Sequence, residues 1–156
     1  MIKTNYLFAV VIFLLHLIPF MIAPHDFIWF EIINKPNFTP SYYINLLFWV
    51  ITFIIISISA SNTLLADNHD KRFYLLLLII NYVFIQTYPY IMFVLNDILL
   101  AFVNIILMLI TSLMLKIIGS KINKRVNKYM YIVTLWLIFS AFLHCGFLHY
   151  NRMVRT

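Results

Sequence analysis

The chain has 156 residues, of which 64% are hydrophobic and only 10% charged, whereas a soluble domain carries about a quarter charged residues. That balance excludes an ordinary soluble globular domain. The net charge of +6 would suggest nucleic acid in a soluble protein, but here it reads as a topology signal.

Uncharged runs cover 4–25, 36–66, 73–96, 98–115 and 129–151, each near or above the ~20 apolar residues that cross a bilayer. Transmembrane β-strands would alternate in runs of about ten, which these continuous Leu/Ile/Phe blocks do not. The expected fold is therefore all-α: a single domain over 1–156 formed by a bundle of five transmembrane helices. Lys3 before an apolar block resembles a secretory signal, but Pro24 disrupts the small-residue cleavage region, so the first run is read as a retained span.

The first helix is expected over Tyr6 to Met21, with Pro19 kinking or ending it. An extramembrane loop of about 24–41 follows. Its two prolines, Pro36 and Pro40, fix φ and push Lys35 and Thr39 toward extended backbone. Such a stiff loop, carrying Trp29, Phe30 and Phe38, can hold aromatic rings over the end of a bundle as a lid. The second helix is expected from Tyr42 to Leu65, then a solvated turn from Asp67 to Arg72, and the third helix from Phe73 to Val94. Asn96-Asp97 is a tight turn that makes the third and fourth helices antiparallel neighbours. The fourth helix extends to Ile118 with Lys116 snorkelling to the interface and Gly119 at C′. A basic segment to Lys128 leads to the fifth helix, Tyr129 to Tyr150.

Lys3, Lys71, Arg72, Lys116, Lys121, Lys124, Arg125 and Lys128 fall on one side of this arrangement, and Lys35, Arg152 and Arg155 on the other. The positive-inside rule places the first group, with the N-terminus, in the cytoplasm, and the first loop and C-terminus outside. Cys145 is the only cysteine, so an intrachain disulfide is excluded.

Polar and tryptophan residues inside spans locate the bundle interior. Asn45, Trp49, Phe53 and Ile56 share a face of the second helix; Asn81, Phe84 and Tyr88 lie together on the third, with Gln86 nearby. Asn104 and Thr111 mark the fourth, and Trp136, Ser140 and Leu143 or His144 the fifth. One aromatic-plus-amide stripe per helix suits a cavity for a planar or sterol-like ligand. Buried Asn and Gln also serve as interhelical glue at about 0.6 kcal/mol each, and Trp and Tyr form interfacial belts. Composition leaves both readings open, with glue and belt somewhat ahead.

Several chemistries lack their residues. No Asp, Glu or Arg lies within a span, which argues against an ion-coupled carrier. His144 and His149 are about 140° apart around a helix and form no shared metal face, so no metal site is expected. Ser/His/Asp and Cys/His catalysis lack the orienting third group, and no phosphate-binding glycine loop is present.

The order Trp29…Lys35-Pro36-Asn37-Phe38-Thr39-Pro40-Ser41, then Trp49, Asn81-Tyr82-Val83-Phe84 with Gln86, and Trp136…Phe139-Ser140 resembles the tryptophan-rich sensory protein/translocator protein family, also called the peripheral-type benzodiazepine receptor family. The resemblance covers essentially the whole chain, and all three tryptophans fall on family tryptophan positions. Phe38, Ser41, Tyr82, Phe84, Ile132-Val133, Asn104 and His144 depart from the family pattern. The resemblance implies a five-helix bundle, often a homodimer, in a bacterial cytoplasmic membrane, which binds porphyrins such as protoporphyrin IX or a haem-like ligand and needs no further cofactor. Sterols in eukaryotic members and synthetic isoquinoline and benzodiazepine compounds are further ligands of the family. It places Trp29, Phe30, Pro40, Trp49, Phe53, Asn81, Phe84, Gln86, Tyr88, Asn104, Trp136 and Ser140 in the pocket. Light-dependent porphyrin degradation, reported for some bacterial members, would use Trp49 and Trp136. A scaffold or assembly subunit that binds no ligand is the third class. The bilayer and a hydrophobic small molecule are the expected partners, with no nucleic acid.

Overall fold

The computed structural model describes residues 6–22 and 27–152. Lys3 and Arg155, used above for topology, and residues 23–26, which include Pro24 and the start of the expected loop, lie outside the described residues. All regular structure among the described residues is helical: α1 (Tyr6–Ile22), α2 (Phe27–Ile32), α3 (Tyr42–Leu64), α4 (Lys71–Phe93), α5 (Ile98–Ile122), α6 (Lys124–Asn127) and α7 (Met130–Arg152).

Four helices are long and apolar enough to cross a bilayer, with 23, 23, 25 and 22 residues in the spans of α3, α4, α5 and α7. α1 is apolar but shorter, at 17 residues, which at 1.5 Å per residue is about 25 Å against a hydrocarbon core of about 30 Å. Helix is the form these sequences must take in lipid, because each backbone N–H then bonds within its own segment. Polar side chains inside the spans follow the same rule: Ser57, Asn62, Thr111 and Thr134 donate to the carbonyls of Phe53, Ile58, Leu107 and Met130, four residues earlier.

The burial pattern is that of a bundle in an apolar solvent. On α4, Tyr74, Leu77, Leu78, Asn81, Ile85, Tyr88 and Met92 are buried at spacings of mostly three and four, while Leu75, Leu76, Ile79, Ile80 and Val83 face outward. Asn81 and Tyr88 thus sit inside together with part of the aliphatic set, and the outward face is aliphatic. Buried Phe53, Ile56, Ala60, Ala101, Ile105, Met108 and Leu137 fill the centre. α4 packs most extensively on α5, and α5 on α7; α1 lies against α3 and α4, and α3 also touches α7.

The Asn96-Asp97 turn is as expected. Asn96 takes φ of 53°, a left-handed conformation that Asn tolerates, and Asp97 caps α5 by accepting from Leu100 N at 2.9 Å. Other expectations need correction. α1 ends at Ile22, within one residue of the expected Met21, so Pro19 does not end it; α4 already begins at Lys71, so Lys71 and Arg72 belong to its first turn rather than to a solvated loop. The first connection is not all loop, because α2 forms within it. Gly119 does not end α5. The helix passes through it to Ile122, and a Cβ there would overlap the Asn127 side chain. Asn127 is fully buried, accepts from Ser59 Oγ, and donates to Thr63 Oγ1 at 3.1 Å and the Asn123 carbonyl at 3.0 Å. Glycine is needed at 119 to admit this polar knot between α3, α5 and α6. α4 also runs on through Pro89, where the ring removes the N–H that would have bonded to the Ile85 carbonyl. Lys116 places its ammonium 3.4 Å from the ring centre of Tyr131, a cation–π contact on the way to the interface.

Candidate functional site

The segment from α2 to α3 folds back over one end of the bundle and is fastened to α7 at three points. The backbone N–H of Asn34 donates to Asn151 Oδ1 at 3.1 Å, and Asn151 Nδ2 returns a bond to the Asn34 carbonyl at 2.9 Å. Pro36 is buried against Gly146, where the absence of a side chain leaves room for the ring. Phe38 stacks on Phe142 with ring centres 5.2 Å apart and planes 24° apart. Inside the segment, Thr39 Oγ1 donates to the Pro36 carbonyl at 2.7 Å, and Lys35 Nζ sits 4.3 Å from the centre of the Phe30 ring. The prolines stiffen the strap, and the aromatic side chains give it an apolar underside.

A cavity lies beneath this lid. Phe20 and Met21 of α1, Phe30 of α2, Thr39 and Pro40 of the strap, and Tyr42, Asn45, Leu46 and Trp49 of α3 form one part of its wall. Tyr88 and Phe93 of α4 and Ser140, Leu143, His144 and Phe147 of α7 form the rest. Its volume is about 50 Å³, against roughly 300–1,000 Å³ for pockets that enclose a drug-sized ligand. The site is closed, and its own rings fill it. Trp49 is 3% exposed and touches Phe20, Phe53 and Tyr88 at ring-centre distances of 5.4, 5.9 and 5.8 Å.

The polar groups of the wall are few and ordered. His144 Nδ1 lies 2.8 Å from the Ser140 carbonyl, an acceptor only, so Nδ1 carries the hydrogen and donates it. Nε2 then holds the lone pair and accepts from the Tyr88 hydroxyl at 3.2 Å.

The profile of the TspO/MBR family matches residues 6–149. The chain belongs to the TspO/MBR family. The Uncharacterized membrane protein YtaB of Bacillus subtilis is 34% identical over 122 residues, 77% of this chain and 78% of that one. The Tryptophan-rich protein TspO of Bacillus cereus is 29% identical over 133 residues, 83% of this chain and 80% of that one. Membership agrees with the all-helical bundle and its apolar exterior, and the chain is a multi-pass membrane protein of this family.

Against that family frame, five of the twelve residues expected in the pocket line the cavity: Phe30, Pro40, Trp49, Tyr88 and Ser140. Phe53 is fully buried behind Trp49. Trp136 sits one layer back as well, edge-on to Trp49 at 6.4 Å and sandwiched by Phe48 at 4.5 Å and Phe139 at 5.6 Å. Trp29 and Phe84 are half-buried and pack against the core. The three amides join helices. Asn81 Nδ2 donates to Thr111 Oγ1 at 2.7 Å and reaches Ser112 Oγ and the Met108 carbonyl; Asn104 Nδ2 donates to Thr87 Oγ1 at 2.8 Å; and Gln86 Nε2 donates to the His16 carbonyl at 3.0 Å. These seven lie off the closed cavity, and α5 supplies none of its wall.

Sequence reasoning missed Phe20, Met21, Thr39, Tyr42, Leu46, Phe93 and Phe147 as wall residues. Thr39, next to Pro40 in the strap, and Tyr42, at the junction of strap and helix, carried a positional signal. The others are ordinary apolar residues of apolar helices and carried none.

Proposed function

We propose that this chain is a five-span bundle forming one domain over 1–156, with the N-terminus in the cytoplasm and the lid outside, that binds a porphyrin or similar planar hydrophobic ligand between the lid and Trp49. The observation that carries this reading is the closed, aromatic-walled cavity beneath a strap fastened by discrete contacts. Aromatic walls suit a flat macrocycle because rings gain from stacking beyond the area they bury. When the lid lifts, Phe30, Pro40 and Thr39 withdraw from one side while Trp49, Tyr88 and Phe147 remain on the other. Lys35, resting on the Phe30 ring at the lid edge, is placed to meet an acidic substituent of such a ligand. A role as sensor, regulator or transporter and a homodimer are part of the same reading, in keeping with membership of the TspO/MBR family.

The test is titration of the purified protein with protoporphyrin IX in the dark, followed by tryptophan fluorescence. Saturable quenching at micromolar concentration or below, weakened on the order of tenfold by Trp49→Phe, is the expected result, since losing one stacking partner removes about 1 kcal/mol or somewhat more. Quenching that never saturates, or that Trp49→Phe leaves unchanged, refutes the pocket. A light-dependent reaction is the second reading, favoured by the edge contact of Trp49 with Trp136 at 6.4 Å, which continues an indole path away from the ligand. Photobleaching of bound porphyrin that survives Trp49→Phe combined with Trp136→Phe removes it.

A further inference from the structure

We propose that Nε2 of His144 is an axial ligand for a metal carried into the cavity by a planar macrocycle, so that the site takes metalloporphyrins in preference to metal-free ones. This rests on the porphyrin reading above and sharpens it.

The imidazole is held as coordinating histidines are held. Its Nδ1–H is tied to the Ser140 carbonyl at 2.8 Å, which fixes the tautomer and the ring plane and leaves the lone pair on Nε2. The ring is 2% exposed, lines the cavity, and is wedged edge-on between Tyr88 at 5.6 Å and Phe147 at 5.5 Å. Among the described residues nothing anionic shares the wall, and no group of three or more His, Cys, Asp or Glu side chains comes together. A bare divalent cation needs four or more donors, so this single nitrogen would not hold one. It suits a metal whose equatorial positions are already filled and whose axial position is open. Neutral histidine is the commonest such partner for haem iron.

The present partner of Nε2 is the Tyr88 hydroxyl at 3.2 Å. The tyrosine thus occupies the lone pair while the site is closed. Coordination requires the hydroxyl to swing away, the Nε2 lone pair to fill the axial position, and the water bound there to leave, with no change in oxidation state. Tyr88 therefore competes with the metal, which a purely structural pair would not do.

The experiment uses the purified full chain and two probes in the dark, ferric haem and metal-free protoporphyrin IX. The wild type should bind haem at least tenfold more tightly than the metal-free ring, with a Soret band displaced from that of free haem. His144→Ala should abolish the displacement and equalise the two affinities, and added imidazole should restore the band. Tyr88→Phe should tighten haem binding about five-fold more than it changes protoporphyrin IX binding, the equivalent of one competing hydrogen bond. Equal affinities in the wild type, or a displaced band that persists in His144→Ala, overturn the coordination while leaving the pocket in place. Haem binding that gains nothing over protoporphyrin IX binding in Tyr88→Phe overturns the competition, and with it the proposal. Failure of both probes to saturate overturns the pocket and the coordination together.

Discussion

Replacing Gly146 with alanine probes whether the lid is seated on α7. An added Cβ would lie 2.5 Å from Cγ of Pro36 and 3.6 Å from Cζ of Phe38, whereas carbon contacts are favourable from about 3.5 Å. The proline ring must therefore retreat by about an ångström. Overpacking of this kind costs about 1–3 kcal/mol. α7 is packed along its length by α5 and α3, whereas the strap meets α7 at its three fastening points. The strain accordingly falls on the closed lid, and the closed-to-open ratio drops roughly 5- to 150-fold. The assay exploits Ser140, a wall residue that is 5% exposed. Ser140→Cys in a Cys145→Ala background leaves one thiol, beneath the lid. Its reaction rate with a soluble maleimide tracks the open fraction when reclosing outpaces labelling. Adding Gly146→Ala should raise that rate by the factor above, with the thermal midpoint of the bundle little changed. A lowered midpoint with an unchanged labelling rate would put the strain in helix packing. An unchanged rate together with an unchanged midpoint would mean that Pro36 does not press on position 146.

Asn151→Ala removes both bonds to Asn34 without a clash, so labelling at position 140 should accelerate on the order of tenfold, from two exposed bonds of about 0.5–1 kcal/mol each. Asn81→Leu, which cuts the donation from α4 to Thr111 and Ser112, should lower stability by about 0.6–1.7 kcal/mol; a protoporphyrin IX affinity reduced more than tenfold would instead put Asn81 in the pocket. Asn127→Ala removes its bonds to the hydroxyls of Ser59 and Thr63, leaving Ser59 only the longer contact with the Tyr74 hydroxyl at 3.4 Å, and should cost about 1–3 kcal/mol, read by thermal unfolding, while ligand affinity stays constant. Asn37→Cys in the Cys145→Ala background should react with an impermeant thiol reagent from outside intact cells, since residue 37 is exposed on the lid; labelling only after permeabilisation reverses the orientation.

The helices could be read from the sequence because charge is sparse, and Arg72, Asp97, Lys121 and Lys128 sit close to where the chain leaves a helix or enters one. The Asn96-Asp97 hairpin was legible for a related reason: a left-handed Asn and a capping Asp do local chemistry that needs no tertiary context. Gly119 shows the opposite case. Glycine after an apolar helix commonly marks a C′ position, but here it answers to Asn127, whose approach is fixed by α3 and α6 and not by the neighbours of residue 119. The amides of Asn81, Gln86 and Asn104 were legible as interior, with glue the leading reading of buried amides, but their partners were not, because spacing places a side chain on a face without naming what it meets. Phe20, Phe93 and Phe147 were illegible as cavity residues because, in lipid, a phenylalanine facing outward satisfies the same composition as one facing a ligand.

The pairing of Asn34 with Asn151 spans 117 positions along the chain, and Gly146 and Phe142 stand 110 and 104 positions from Pro36 and Phe38, the strap residues they receive. During synthesis, therefore, the strap has no seat until the last helix has emerged and inserted. Until then the aromatic face of α3 remains uncovered on the side that the strap will later close. Closure must therefore await the insertion of α7. A ligand taken up before that moment would be enclosed as the bundle finishes, whereas one arriving afterwards must first unfasten it.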